Sequence, residues 1–152
     1  MKISIEDNAG NINIEETGFE IVANIDSTIS DVERSKIENL MNQKSKDELV
    51  KDLNSIKMYI DRFGKKEEKR DAREADLIKK CSTHKSSEWC DNKFGKIFTH
   101  IDYRLDWIFE KVVKLKYILI LRDLENYYCK NWVTKTGYDI IKDDLNYLIS
   151  KI

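Results

Sequence analysis

The chain of 152 residues contains no proline and only five glycines. Proline breaks the interior of a helix, because it lacks a backbone N–H donor and its ring clashes with the preceding turn. Its absence therefore permits long, uninterrupted helices. An AT-rich genome explains the absence equally well, since lysine, isoleucine and asparagine are used freely.

The chain also lacks a long apolar run. The longest, residues 117–121, has five residues, far fewer than the roughly 20 of a membrane-spanning helix. The first six residues do not form the apolar segment of a secretory signal. We therefore predict a cytoplasmic protein, although some secreted effectors lack such a signal.

Cysteine is scarce and odd in number, at three residues. This count argues against a complete disulfide framework, and a cytoplasmic location predicts reduced thiols. Cys81, His84 and Cys90 form a weak candidate zinc site, but zinc needs a fourth ligand and the spacing matches no standard zinc module. The sequence favours two loop cysteines beside an exposed histidine, with neither metal nor cofactor.

Catalytic motifs are missing. His84 and His100 are the only histidines, and the five glycines form neither a Walker loop nor a Gly-x-Gly-x-x-Gly turn. Scattered acidic residues that meet only in the fold would leave no local pattern. We predict no catalytic residues and a protein that is not an enzyme.

The N-terminal segment, residues 1–26, differs from the rest of the chain. It carries six acidic residues and one basic residue, a net charge of −5, whereas the whole chain has a net charge of −1. Isoleucines alternate with polar residues at 3–5 and 12–14 around a turn-forming 8–11, and 19–22 is a third candidate strand. This pattern predicts an acidic β-hairpin or meander that packs on helices.

Residues 30–152 have the spacing of helices. Ser30 to Glu33 and Ser45 to Glu48 fit the Ser-x-x-Glu capping box that begins a helix. The second helix has an apolar face ending near Gly64, which we interpret as its C-cap. The mixed charges of 65–80 predict a solvated helix face, 82–92 a connecting loop, and 138–152 a final helix.

The longest periodic segment is 92–131, where apolar residues recur at alternating intervals of four and three: Phe94, Phe98, Ile101, Leu105, Ile108, Val112, Leu115 and Leu119. A single helix would be about 60 Å long, whereas a compact domain of this size is roughly 40 Å across. The helix therefore breaks, the molecule is elongated, or the helix extends onto a partner chain. Residues 117–121, apolar on every side, and the tryptophans are predicted to lie in the core.

The predicted fold is mainly α: one domain, 1–152, with a helical bundle of four to five helices at 30–152 and a small N-terminal β-hairpin at 1–26. An elongated, coiled-coil-like arrangement is the alternative, because heptads over a short length fit both.

The predicted function is that of a non-enzymatic protein-binding or inhibitor protein, of the immunity, antitoxin or phage and mobile-element accessory type. It would act through its helical faces and the acidic hairpin, where Glu15, Glu16 and Glu20 would face a basic partner surface. A homodimer through a residual apolar face is a further option. The alternative is a nucleic-acid-binding or zinc-binding helical protein, although acidic residues interleave with the bases of 65–80.

Overall fold

The computed structural model describes residues 23–152 with their side chains and residues 2–6 and 12–16 as backbone. Residues 23–152 form four helices, which confirms the predicted all-α bundle. The helices are α1 (Ile25–Ile37), α2 (Gln43–Ser82), α3 (Ser87–Cys129) and α4 (Lys135–Ser150).

Two short strands lie in the N-terminal segment, β1 (Lys2–Glu6) and β2 (Ile12–Glu16), and they pair antiparallel with Ser4 opposite Ile14. The predicted turn at 8–11 and the third candidate strand at 19–22 lie outside the described residues. A hairpin that packs on the helices stays a prediction.

The helices α2 and α3 are long and unbroken, at 40 and 43 residues. At 1.5 Å per residue they are about 60 Å and 65 Å long, so the segment 92–131 belongs to one helix. The predicted end of α2 at Gly64 is wrong, because the cost of one glycine, about 1 kcal/mol, does not stop a helix that is packed on both sides of it. The predicted loop 82–92 is likewise wrong, since only residues 83–86 connect α2 to α3.

Asparagines, rather than the predicted serines, begin the first two helices. The side chain of Asn24 accepts hydrogen bonds from the backbone N–H groups of Asp26 and Ser27. Asn42 accepts one from Ser45 at 2.8 Å. Ser30 lies inside α1 and donates its hydroxyl to the Asp26 carbonyl. The Ser-x-x-Glu pattern therefore identified both helices but placed their starts six and three residues late.

The hydrophobic core lies at one end of the α2–α3 pair. Its fully buried members come from the first half of α2 and the second half of α3, together with α1, α4 and the connecting loops: Val32, Met41, Leu49, Leu53, Ile56, Val113, Tyr117, Ile120, Leu124, Tyr127, Val133, Ile141 and Leu145. The final helix was predicted correctly, since Tyr138, Leu148 and Ile152 also pack against this core. We term this half the bundle end.

The loops between α1 and α2 and between α3 and α4 are joined to each other at the bundle end. The Asn42 N–H donates to the Trp132 carbonyl at 2.8 Å, and the Thr134 N–H donates to the Leu40 carbonyl at 2.7 Å. Together with the bridge between Met41 and Val133, these bonds hold the two helical hairpins in one register.

Beyond the bundle end, α2 and α3 continue as an antiparallel two-helix extension, which we term the distal hairpin (residues 64–108). Phe63 stacks on Phe109 with ring centroids 4.1 Å apart. Farther out, Arg70 forms an ion pair with Asp102 at 3.0 Å. Among the described residues, no helix combines the length and apolar character needed to cross a bilayer.

Candidate interaction surface

A row of large apolar side chains on α3 points away from the core. We term it the outer α3 row; each member keeps between 39% and 57% of its surface exposed: Ile97, Ile101, Ile108, Leu115 and Leu119. Their spacing of four, seven, seven and four residues places all five within about 40° on the helix circumference. Contiguous exposed apolar side chains of this kind mark binding surfaces more often than isolated ones do.

The outer α3 row is one edge of the apolar stripe that the sequence predicted to be packed. The other edge, Phe94, Phe98, Leu105 and Val112, turns towards α2 and is half-buried. The prediction that 117–121 lies centrally in the core is wrong for Ile118 and Leu119, which are exposed, and right for Tyr117 and Ile120. Among the described residues, only the face of α3 that lies towards α2 and α4 packs against other helices.

The charged residues that interrupt the outer α3 row are all basic. Arg104 and Lys111 lie within the row at helical spacing, and Arg122 follows it. The Lys111 ammonium group lies 5.8 Å from the centre of the Trp107 ring. Among residues 23–152, Arg104 and Lys111 have no ion-pair partner. Within that part of the chain no carboxylate pairs with these two charges, which a ligand could therefore contact.

A shallow depression at the middle of the row is lined by Tyr103, Arg104, Trp107 and Ile108. Trp107 is 55% exposed, and Trp89 near the start of α3 is 46% exposed. The prediction of tryptophans in the core is therefore wrong for these two, while Trp132 packs against the core. Tryptophan, tyrosine and arginine are the residues that most often dominate binding energy at protein interfaces.

The neighbouring edge of α2 continues this surface. Asp52 and Ser55 share a cleft with Leu119 and Lys116, which fixes the side of α2 that lies beside the outer α3 row. From Ser55, steps of seven, four and seven residues lead to Arg62, Lys66 and Arg73 on the same side, all exposed. The distal part of this edge is therefore basic.

The cleft itself, of about 250 Å³, carries opposed charges. Burial, with the nearby carboxylate of Asp123, raises the pKa of Asp52, and Lys116 acts in the opposite direction. The volume lies just below the roughly 300–1,000 Å³ typical of small-molecule pockets. The cleft thus offers two carboxylates, an ammonium group and a guanidinium group at the end of the apolar row.

The three weak zinc candidates, Cys81, His84 and Cys90, lie in a different arrangement from the one that the zinc hypothesis requires. Cys81 and Cys90 form a disulfide across the end of the distal hairpin, with their Cα atoms 5.9 Å apart. The expectation of reduced thiols is wrong for this pair, because the antiparallel helices bring the two side chains within bonding reach. His84 lies exposed in the connecting turn. Within the described residues, no three His, Cys, Asp or Glu side chains are grouped to hold a metal ion.

The remaining sequence-predicted residues are the three N-terminal glutamates and His100. Glu15 and Glu16 end β2, and Glu20 lies outside the described residues, so their role stays a prediction. His100 is exposed on α3, beside Tyr103 in a second open depression. The sequence contained one signal of the exposed surface: the apolar residues of 92–131 occupy more than one face of the helix, whereas a helix that packs on one side needs a single apolar stripe.

No protein-family model matches the chain, and comparison with curated proteins and with solved structures finds no similar protein.

Proposed function

We propose that this chain is a non-catalytic protein-binding protein, of an inhibitor, immunity, antitoxin or phage and mobile-element accessory type, that recognises its partner through its helical faces. The observation that carries the proposal is the outer α3 row. Five aliphatic side chains, with Trp107 beside them, stay half-exposed along about 33 Å of helix. Their exposure costs free energy in water that a partner surface would recover.

Buried area supports the same proposal. A standard protein interface removes about 800 Å² from each partner and includes 20–30 residues. The row, its basic neighbours and the Trp107 depression extend along more than half of α3, so a partner lying on them can reach that size. Aromatic and arginine side chains at the centre, with charge at the rim, correspond to the usual anatomy of such interfaces.

The acidic N-terminal segment is a second contact region in this proposal. Its net charge of −5 would attract a basic partner surface, with Glu15, Glu16 and Glu20 as the contributing residues. An exposed strand edge would add backbone hydrogen bonds to the partner.

Affinity capture with matched variants tests the proposal. Ile108→Glu places a charge at the centre of the row, and Ile37→Glu places one on α1, where Ile37 is 80% exposed and away from the row. From an extract of the native host, we expect a partner protein to be retained by the wild type and by Ile37→Glu, and to be reduced at least tenfold by Ile108→Glu. Retention by Ile108→Glu at the wild-type level would refute the proposed surface.

Charge reversal at Glu15, Glu16 and Glu20 tests the second contact region in the same capture. If the triple variant retains the partner as well as the wild type does, the N-terminal segment takes no part.

Nucleic-acid binding is the alternative, favoured by one observation: Lys93 lies over Trp89 and Lys111 over Trp107, and base stacking on aromatic residues beside cations is typical of single-strand binding. Retention of a short single-stranded RNA near physiological salt, lost on Trp107→Ala, would support this alternative.

A further inference from the structure

The outer α3 row and the basic edge of α2 together form a groove, and its chemistry selects one kind of occupant. The two helices are antiparallel, with Phe63 opposite Phe109 and Arg70 opposite Asp102. Counting from these pairs places Lys66 close to the level of Ile108, and Arg73 close to that of Ile101. Basic side chains therefore flank the outer α3 row on both sides. Those of α2 lie on one side, and Arg104 and Lys111 lie on the other.

The described helices of the chain do not cover this groove. The end of α4 reaches α3 at Asp106, Phe109 and Glu110, on the opposite side from the row. The helix α1 contacts α2 at the bundle end, where Lys57 pairs with Asp26. On the side of the row, the α2–α3 pair is thus a two-helix layer that neither α1 nor α4 covers.

We propose that the groove binds an acidic amphipathic α-helix of another protein, which completes a three-helix layer with α2 and α3. The inference rests on the proposed function and specifies the partner's chemistry. In the partner helix, apolar residues at intervals of three and four would contact the row between Ile97 and Leu119. Glutamates or aspartates on both flanks of that helix would face the basic side chains of α2 and α3. A partner of about 22 residues matches the 33 Å length of the row.

The charges argue against a second copy of the chain as occupant. Two copies that pack through the row would bring Arg104, Lys111 and the α2 bases against their equivalents, and like charges in contact cost several kcal/mol. The phosphates of a nucleic acid would pair with the basic side chains. They would not contact the apolar row favourably, since isoleucine and leucine offer no aromatic face on which a nucleobase could stack. An acidic amphipathic helix would pair with the basic side chains and bury the apolar row.

A pair of labelled peptides tests the inference with the full-length protein. Each peptide is a helix-stabilised segment of about 24 residues with leucines at intervals of three and four; one carries glutamates on both flanks and the other carries lysines. By fluorescence anisotropy, we expect the acidic peptide to bind at least tenfold more tightly than the basic one. Its affinity should fall as salt rises, because the charges lie at the rim.

Variants locate the binding. Arg104→Glu combined with Lys111→Glu should weaken the acidic peptide at least tenfold, and the double change to glutamine should give a smaller loss. The matched control, Lys36→Glu combined with Lys151→Glu, alters a half-buried lysine on α1 and an exposed lysine after α4 and should leave the affinity within twofold. Circular dichroism confirms that each variant folds.

Four outcomes would overturn the inference. One is equal binding of the two peptides. Another is tighter binding, through Arg104 and Lys111, of a short single-stranded RNA or of phosphatidylserine-containing vesicles. The third is a stable dimer, seen by sedimentation, that Ile108→Glu dissociates. The fourth is a rise in peptide affinity of more than tenfold when Glu15, Glu16 and Glu20 become glutamine, because the chain's own segment would then occupy the groove.

The proposed function is judged separately. If native capture depends on Ile108 but the acidic peptide does not bind, protein recognition through α3 stands and the acidic-helix inference fails.

Discussion

At the scale of single residues, Gly137 lies where two loops meet. It is buried in the first turn of α4, and a Cβ atom built there would lie 3.1 Å from both the Cβ atom and the carbonyl oxygen of Leu40. The Leu40 carbonyl accepts the hydrogen bond from Thr134 that joins the two loops, so it cannot move away freely. The position therefore requires the absence of a side chain.

Gly137→Ala should lower the free energy of unfolding by about 1–2 kcal/mol, because overpacking forces the backbone to shift. Gly64→Ala is the matched control: it lies within α2 and its Cβ atom would meet nothing within 4 Å. That substitution should raise the free energy of unfolding by about 0.5–1 kcal/mol through reduced chain entropy. Urea denaturation measures both, and equal effects of the two changes would contradict the packing argument.

Of the three tryptophans predicted to lie in the core, one packs against it and two are exposed. Trp132 packs against the core with Lys44 near its ring, as its apolar surroundings predicted. Trp107 has comparably apolar neighbours in the chain and Trp89 has mostly polar ones, but both lie on a face of α3 that no other described helix covers. An apolar pattern indicates which residues prefer burial, and it does not indicate whether enough partner surface exists.

At the scale of helices, the Cys81–Cys90 disulfide closes the distal hairpin across a turn of four residues. The hairpin has few other constraints there, since its last ion pair between the helices is Arg70 to Asp102 within the described residues. A short closed loop removes conformational freedom mainly from the unfolded chain. We therefore expect the disulfide to hold the ends of α2 and α3 together.

Cys81→Ser should lower the free energy of unfolding by about 2 kcal/mol, and a reducing agent should affect the wild type in the same way but leave the variant unchanged. The control is Cys129→Ser, which removes the exposed third thiol and should have little effect. Denaturation with and without dithiothreitol measures this. A count of three free thiols in unreduced, denatured wild type would contradict the disulfide.

The same thiol count bears on location. Disulfides persist mainly in oxidising compartments, so protein taken from its own cells with Cys81 and Cys90 reduced would agree with the predicted cytoplasmic location. Oxidised protein would favour a secreted one.

At the scale of the whole molecule, α4 returns to α1 and closes the bundle end, and two carboxyl groups meet there. Burial raises the pKa of Asp144 to about 6, and the neighbouring Asp31 carboxyl acts in the same direction. The folded state therefore holds this proton at pH values where the unfolded chain releases it. As the pH rises from about 4 to about 6, this group lowers the stability of the folded state.

Asp144→Asn should remove this loss. We expect the variant to be about 1 kcal/mol more stable than the wild type at pH 7, a figure reduced for the partial solvent exposure of the group, and equal to it near pH 4. Asp143→Asn is the control: this exposed neighbour in α4 makes the smallest contribution to the raised pKa of Asp144, so its removal should have a much smaller effect. Thermal denaturation across this pH range measures the difference, and parallel curves for wild type and Asp144→Asn would refute the coupling.

The elongated shape of the molecule follows from how much of α2 and α3 the shorter helices can cover. Among the described helices, α1 with 13 residues and α4 with 16 are too short to cover two helices of about 60 Å. Half of the α2–α3 pair therefore has no other described helix packed against it. Of the three alternatives for 92–131, a break in the helix is wrong and the extended shape is what the structure shows. The proposal of a partner helix concerns that uncovered half.

The amino-acid sequence by itself determined that this chain is helical. Three features act locally along the backbone: the apolar spacing of three and four residues, the absence of proline, and the asparagine or serine caps. It also indicated the final helix and the heptads of α3. Only the tertiary structure decided which face of α3 is buried, that Gly64 does not end α2, and that Cys81 reaches Cys90. Each depends on which helices lie opposite one another, and such long-range pairings leave no trace in the local spacing of residues.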